Sequence, residues 1–409
     1  MQQNKGKNKR SGPPAARRAS PEEKYKTTAL LNQLITTTKH LNMKVLIFLT
    51  IAGLAACVDY EHVLQSPGEL RNLFSEFNVK FGKTFSPAEG PMRMRLFRND
   101  LKEIVRLNKE HEWVSGINQF TAMTVAEKQQ HLGLNISLAS PADELPLLSS
   151  APAASSLDWR QKGKVAGVKD QGGCGSCWAF SAVGAVETNY AIKTGRRKQF
   201  AEQEYLDCTY EGERDGCQGG WYHQAWDYSA RAGRLATLAA APYKGKDGAC
   251  SYSRVHNGFQ AALITGSNSV SKGESSMIQA LNSGAVSVAY EVTDEFFKYQ
   301  EGIISDNTCK SWANHAVTAV GYTHSAMIVK NSWGSWGMSG YFYTARGHHG
   351  CQIYNHGSVP SWRMTNKPDT DPEYVPSDDD DCKGTNADGC PCGTVRCSNG
   401  SCKHAHMCH

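Results

Sequence analysis

Cys177 stands in the segment Gln171-Gly172-Gly173-Cys174-Gly175-Ser176-Cys177-Trp178, whose residue types suit nucleophilic catalysis. A thiol attacks poorly until it is ionised, and a helix start favours the thiolate through its unpaired N–H groups and dipole. A base must take the proton, and His315, well downstream in Asn314-His315-Ala316, supplies an imidazole. Asn331, in Lys330-Asn331-Ser332-Trp333, has a side-chain amide able to hold that ring in one orientation. Gln171 can donate its own amide to a developing oxyanion, beside the backbone N–H of Cys177.

Each residue also has a plainer reading. Cys174-x-x-Cys177 alone matches a thioredoxin-like redox pair, and His315 or Asn331 alone could be a buried, satisfied side chain. The redox reading accounts for neither Gln171 nor the histidine and asparagine. The elements that must position these groups are legible in outline. Over 176–194, Phe180, Val183, Val186 and Tyr190 fall at helical spacing, which puts Cys177 at a helix start. Residues 286–292, 315–322, 326–330 and 340–344 read as strands. An α+β body with a helical lobe facing a β lobe follows.

Composition divides the 409 residues further. The net charge of +5 comes from 1–42, where nine Lys or Arg stand against two Glu, so nothing recommends nucleic acid as a partner. Fourteen cysteines fit an oxidising compartment. Met43-Lys44, the apolar run 45–54 and the small residues Ala55-Ala56-Cys57 read as a signal peptide, too short for a stable membrane span. The expected plan is a basic extension (1–42) outside the mature protein, a signal peptide (43–57) and a charged helical segment with a Pro/Ala/Ser-rich linker (58–154). A catalytic body (155–360), an acidic linker (361–381) and a Cys-rich tail (382–409) follow. Translation from Met43 would explain the extension, and amino-terminal sequencing of the intracellular precursor tests it.

The run from Gly172 to Ser181, taken with His315 and Asn331-Ser332-Trp333-Gly334, resembles the papain family of cysteine proteases in residues and order. That resemblance implies a two-lobe fold, one lobe helical and the other β-barrel-like, with the active-site cleft between them. It implies a Cys177 thiolate paired with a His315 imidazolium, attack on a peptide carbonyl, a thioester intermediate, and Trp333 shielding the bond between Asn331 and His315. It pairs Cys174 with Cys217, Cys208 with Cys250, and Cys309 with Cys351. Gly220 would bind the substrate main chain, with Trp221 and Tyr222 lining the specificity pocket and His356 at its floor; a surface histidine is the plainer reading of His356. Partners implied are protein or peptide substrates, the chain's own propeptide and cystatin-like inhibitors, with no cofactor and no metal.

The region before the body resembles the inhibitory propeptide of cathepsin L-like proteases. Glu89, Arg93, Phe97, Asp100, Ile104 and Asn108 follow its helical signature, with Asp100 where Asn is usual. Gly116, Asn118, Phe120 and Ala122 follow a second motif, with Ala122 where Asp is usual, a change that bears on acid-triggered release rather than on inhibition. Asn331-Ser332-Trp333-Gly334-Ser335-Trp336-Gly337 is one residue shorter than the family spacing. Cys382, Cys390, Cys392, Cys397, Cys402 and Cys408, with His404, His406 and His409, form either a disulfide knot or a metal site; an even count in a secreted chain favours the knot. The reading is an endopeptidase made as a zymogen in the secretory pathway, extracellular or lysosomal. Its competitor is a binding protein in which the tail matters and the body is scaffold; an intact set at Gln171, Cys177, His315 and Asn331 argues for the enzyme.

Overall fold

Helix and strand starts in this chain are set by a few polar caps and by glycines that end what the apolar residues begin. A computed structural model describes residues 59–135, 154–209, 216–250, 262–305, 309, 312–347 and 350–364, with the backbone of 395–396 and 402–403. The signal peptide, the basic extension and the tail cysteines' side chains lie outside the described residues. No helix among the described residues is long and apolar enough to cross a membrane.

The amino-terminal segment holds α1 (Tyr60–Gln65), α2 (Pro67–Lys80) and α3 (Gly90–Glu110). Ser66 starts α2 by accepting from the Glu69 N–H, with Pro67 at a position that needs no donor. One face of α3, carrying Arg93, Phe97, Asp100, Leu101, Ile104 and Leu107, is buried, and Phe97 packs with Val63, Leu70 and Phe77 in a core of its own. A short strand, β1 (Val114–Ser115), and α4 (Val125–Gln129) follow, the latter started by a reciprocal cap between Thr124 and Glu127.

The body begins with β2 (Leu157–Asp158) and continues with α5 (Cys177–Thr194), α6 (Glu202–Cys208) and α7 (Tyr222–Ala232). Helix α5 is apolar nearly all round and buried accordingly, and Gly195 ends it in the left-handed conformation at φ 79°. Trp178, Ala182, Val186, Tyr205 and Trp226 make the helical core. The sheet half comprises β3 (Ala262–Ser269), α8 (Glu274–Ser283), β4 (Val286–Tyr290), β5 (Tyr299–Glu301), β6 (Ile303–Ile304), β7 (His315–Tyr322), β8 (Ala326–Lys330), β9 (Tyr341–Ala345) and β10 (Ser358–Met364). Its core gathers Val288, Tyr290, Val320, Ile328, Phe342, Trp333 and Trp336. Two further short strands, β11 (Val395–Arg396) and β12 (Cys402–Lys403), pair antiparallel in the tail.

The α+β architecture stands, but the β-barrel-like lobe does not. The strands run β3-β10-β4-β7-β8-β9-β6, with β2 also on β7, and the two outer strands do not pair with each other. The reason is visible at the edges. At one side β6 is two residues long and pairs in parallel with β9; at the other, β3 bonds β10 and packs against α7. Closure needs matched edges and stagger, which strands this unequal do not supply. In the middle, all eight residues of β7 are buried, and His315 is paired with Tyr290 of β4 at its start.

Candidate active site

Cys177 is the first residue of α5, wholly buried, and the only free cysteine among the described residues. The N–H of Ala316 donates to its sulfur at 3.4 Å, so the start of β7 meets the start of α5 at this atom. Burial pushes the thiol up to about 11, against the pull of the N–H groups of Ala316, Gly133, Trp178 and Cys177 itself. Cys174 is bonded to Cys217, which leaves no partner for a redox pair with Cys177. Cys208 is bonded to Cys250 and Cys309 to Cys351.

His315 is fully buried, and its Nε2 lies 2.8 Å from Oδ1 of Asn331. Its Nδ1 makes no hydrogen bond. Burial holds the imidazole down at about 4, with Asn331 acting to raise it and the nearby His131 to lower it further. The Trp333 ring lies 4.7 Å from the imidazole and covers that side. Gln171 is buried too, and its amide is fixed at both ends: Oε1 accepts from Ser332 Oγ at 2.6 Å, and Nε2 donates to Cys174 O at 2.8 Å. Ser332, unremarked in the sequence beyond its place in the motif, is therefore what orients Gln171.

Across the cleft, the residues 131–135 run through the site. Gly220 N donates to Gly133 O at 2.9 Å, Asn135 N donates to Gly220 O at 3.2 Å, and Leu134 N donates to Asn314 O at 3.2 Å. The mode is strand addition, in which main-chain bonds hold an extended peptide and a pocket takes its side chain. Glycine is required at two of these places. A Cβ on Gly133 would lie 1.8 Å from Gly175 O, and one on Gly220 would lie 2.7 Å from the Trp178 indole. Leu134 is buried in the same apolar cluster as Trp221, Tyr222, Ala289, Ala313 and Ala316. His356 borders it: the Trp221 ring meets its imidazole edge-on at 5.6 Å, and Tyr222 donates its hydroxyl to the His356 carbonyl. Burial, then Lys272, lowers the His356 pKa.

His131, which sequence reasoning passed over, begins the covering strip. Its carbonyl accepts from Gln171 Nε2 at 3.1 Å, and its ring packs edge-on to Phe120. Its Nδ1 is buried without a partner, and burial, with Lys83 adding to it, holds the ring down at about 4. No periodicity marks this histidine; only its closeness to the linker hinted that the segment there would cross the site.

Farther out the amino-terminal segment docks on the loop 293–301. Strand β1 pairs with β5, Asn118 Nδ2 donates to Phe297 O at 2.7 Å, and Gln119 Nε2 donates to Trp333 O at 2.8 Å. Asp100 takes the Ala122 N–H at 2.9 Å and stands 3.4 Å from Lys298 Nζ and 3.8 Å from Lys128 Nζ; both lysines also reach Asp294 at 2.8 Å. Ala122, at φ 62°, is held by Asp100 at its N–H and by Arg93 at its carbonyl. A carboxylate thus serves position 122 from the helix instead of from the loop. No cluster of His, Cys, Asp and Glu able to hold a metal ion occurs among the described residues.

Comparison with known proteins agrees with this geometry. Residues 153–361 match the family described as papain family cysteine protease, and 74–127 match the cathepsin propeptide inhibitor domain (I29). Pro-cathepsin H of Bos taurus is 37% identical over 299 residues, covering 70% of this chain and 89% of its own length. Fruit bromelain of Ananas comosus is 35% identical, covering 67% and 80%. Among solved structures, the digestive procathepsin L2 proteinase of Tenebrio molitor larval midgut aligns with a TM-score of 0.65 at 31% identity, covering 71% of this chain and 99% of its own. The relatives span cathepsin H, bromelain and digestive types rather than singling out a cathepsin L subgroup.

Proposed function

The chain belongs to the papain family of cysteine proteases, a hydrolase made as a zymogen under its own propeptide, and on that premise we propose that Cys177 and His315 carry its peptidase chemistry. The observation that carries this is the meeting of two chain starts at one sulfur. Ala316 donates to Cys177 Sγ, while the neighbouring His315 is held by Asn331 through Nε2 with Nδ1 left unengaged.

In the covered precursor, burial favours the neutral thiol and the neutral imidazole. Once residues 131–135 leave, water and the helix N–H groups stabilise charge again, and the Cys177 proton passes to His315. The thiolate attacks the peptide carbonyl carbon, and the oxyanion takes hydrogen bonds from Gln171 Nε2 and the Cys177 N–H. The imidazolium returns its proton to the leaving amine, giving a thioester. Water attacks the thioester with His315 as base, the acid leaves, and the thiol is restored. Asn331 keeps the ring in register throughout, under Trp333.

Substrates are proteins or peptides bound in extended form, with Gly220 taking the main chain and Trp221, Tyr222 and His356 around the apolar cluster that holds Leu134. Burial and Lys272 lower the His356 pKa, so a preference for acidic side chains should rise as pH falls; a cleavage profile unchanged with falling pH, or equal in His356→Ala, removes that role. The domain plan read from the sequence, entry to the secretory pathway with an extracellular or lysosomal destination, and recognition by cystatin-like inhibitors complete the proposal. The disulfides and the propeptide match support the secretory destination among these.

The test is titration of the acid-matured enzyme with an epoxide inhibitor of papain-like enzymes, beside Cys177→Ala and a fluorogenic dipeptide substrate. Labelling at Cys177, with activity abolished in the variant, is the expected result. A matured enzyme that cleaves without labelling would refute it.

A further inference from the structure

We infer that Tyr243 is a positioning residue for the transition state: its hydroxyl ties the main chain of Gln171 to the side chain of Ser176 and thereby fixes both N–H groups that receive the oxyanion. The inference rests on the mechanism proposed above and extends it to a residue on neither catalytic element.

The phenol oxygen lies 2.8 Å from the Gln171 carbonyl and 2.7 Å from Ser176 Oγ. A carbonyl only accepts, so the tyrosine proton goes to Gln171, and the Ser176 hydroxyl must then donate to the tyrosine oxygen. The result is a directed chain, Ser176 to Tyr243 to Gln171, in which each bond polarises the next. Ser176 precedes the nucleophile at the start of α5, and its side chain makes no capping bond to the helix. Gln171 sits in a glycine-rich turn whose N–H is held by Ser332 O at 2.9 Å, and its carbonyl is the end that Tyr243 holds. Ser332 and Cys174 orient the Gln171 amide, and the Tyr243 hydroxyl adds the direct tie between the main chain of Gln171 and the residue before Cys177.

Tyr243 is itself held. Its ring meets Phe180, in the first turn of α5, edge-on at 4.8 Å. The next residue is pinned by the Lys244 N–H on Gln203 Oε1 at 2.7 Å, and the segment ends in the disulfide from Cys250 to Cys208. Burial raises the phenol pKa, so the hydroxyl stays a donor at every working pH.

The test uses enzyme matured from the full-length precursor. Tyr243→Phe keeps the ring against Phe180 and removes the hydroxyl. Per epoxide-titrated site, kcat should fall about tenfold, less than for deleting an oxyanion donor outright. KM should stay within about twofold, and a peptide aldehyde should weaken by the same factor as kcat/KM. Ser176→Ala should show a smaller loss of the same kind, which covers the case of a Tyr243→Phe precursor that does not fold. An unchanged kcat per titrated site, or a kcat loss with unchanged aldehyde affinity, overturns the inference. A wild-type enzyme that cleaves without titrating overturns the underlying mechanism instead, and this assignment with it.

Discussion

At the 293–301 loop the propeptide is held by buried charges, whereas in the cleft it is held by backbone bonds and close contact around a neutral histidine. Asp100, Lys128 and Lys298 are each nearly out of solvent, and the carboxylate stands between the two ammonium groups. Residues 131–135 carry no ionised group and rely on Gly133 fitting against Gly175. The difference teaches that one precursor can have an anchor and a trigger. Paired ions resist release until a partner is removed, while a neutral imidazole in a dry site invites release when protons become available.

The largest way to break the comparison is Gly133→Val. No flexible side chain can yield to the new Cβ, because the atom it meets is backbone. A loss of about 3 kcal/mol in seating the strip, roughly a hundredfold, is expected. Intact precursor should then label with the epoxide at pH 7; a precursor as unreactive as wild type would show that the strip does not set inhibition.

Next comes Lys298→Met. It strands the Asp100 charge apart from Lys128, and about 2 kcal/mol of precursor stability should go with it. Adding Asp100→Asn should restore most of the loss in a thermal melt, since the stranded charge is then gone; additive destabilisation would deny the pairing.

His131→Phe sharpens the trigger side. In the closed precursor His131 titrates near 4, and the released ring near its ordinary 6.5. Between those values the released form binds more protons, so falling pH favours release. The shift is worth up to about thirtyfold between pH 8 and pH 5. The phenylalanine variant should lose that share of the acid acceleration, His315 keeping its own, and behave as wild type at pH 8. Equal pH dependence in both proteins would move the trigger elsewhere.

The smallest effect is expected at Arg106. It pairs with Glu295 across the same interface at 2.7 Å but is 40% exposed. Arg106→Gln should change the melting of the precursor by less than about 1 kcal/mol, and less still at high salt. A loss equal to that of Lys298→Met would mean burial is not what separates strong pairs from weak ones here.

Much of the site is legible because its chemistry is local. Cys177 follows a glycine-rich turn and opens an apolar helical run, and His315 opens a strand-like one, so residue type and spacing point to both. What joins them is long-range and has no period. Tyr243 and His131 lie in irregular segments, and only folding brings one to Ser176 and the other to Gln171. The barrel expectation failed for a similar reason: apolar runs announce strands such as β7 and β8, not whether edges meet. Strand β3, with Thr265, Ser267, Asn268 and Ser269 in its second half, is too polar to announce itself, and Pro360 sits inside β10, where proline is uncommon.

Among the described residues, β5 has no strand partner except β1. When the propeptide is cut away, the main-chain groups of Tyr299–Glu301 that faced β1 are laid open. An unpaired edge is a template for any extended chain. Removal of β1 therefore opens a short stretch of unpaired main chain as well as the cleft.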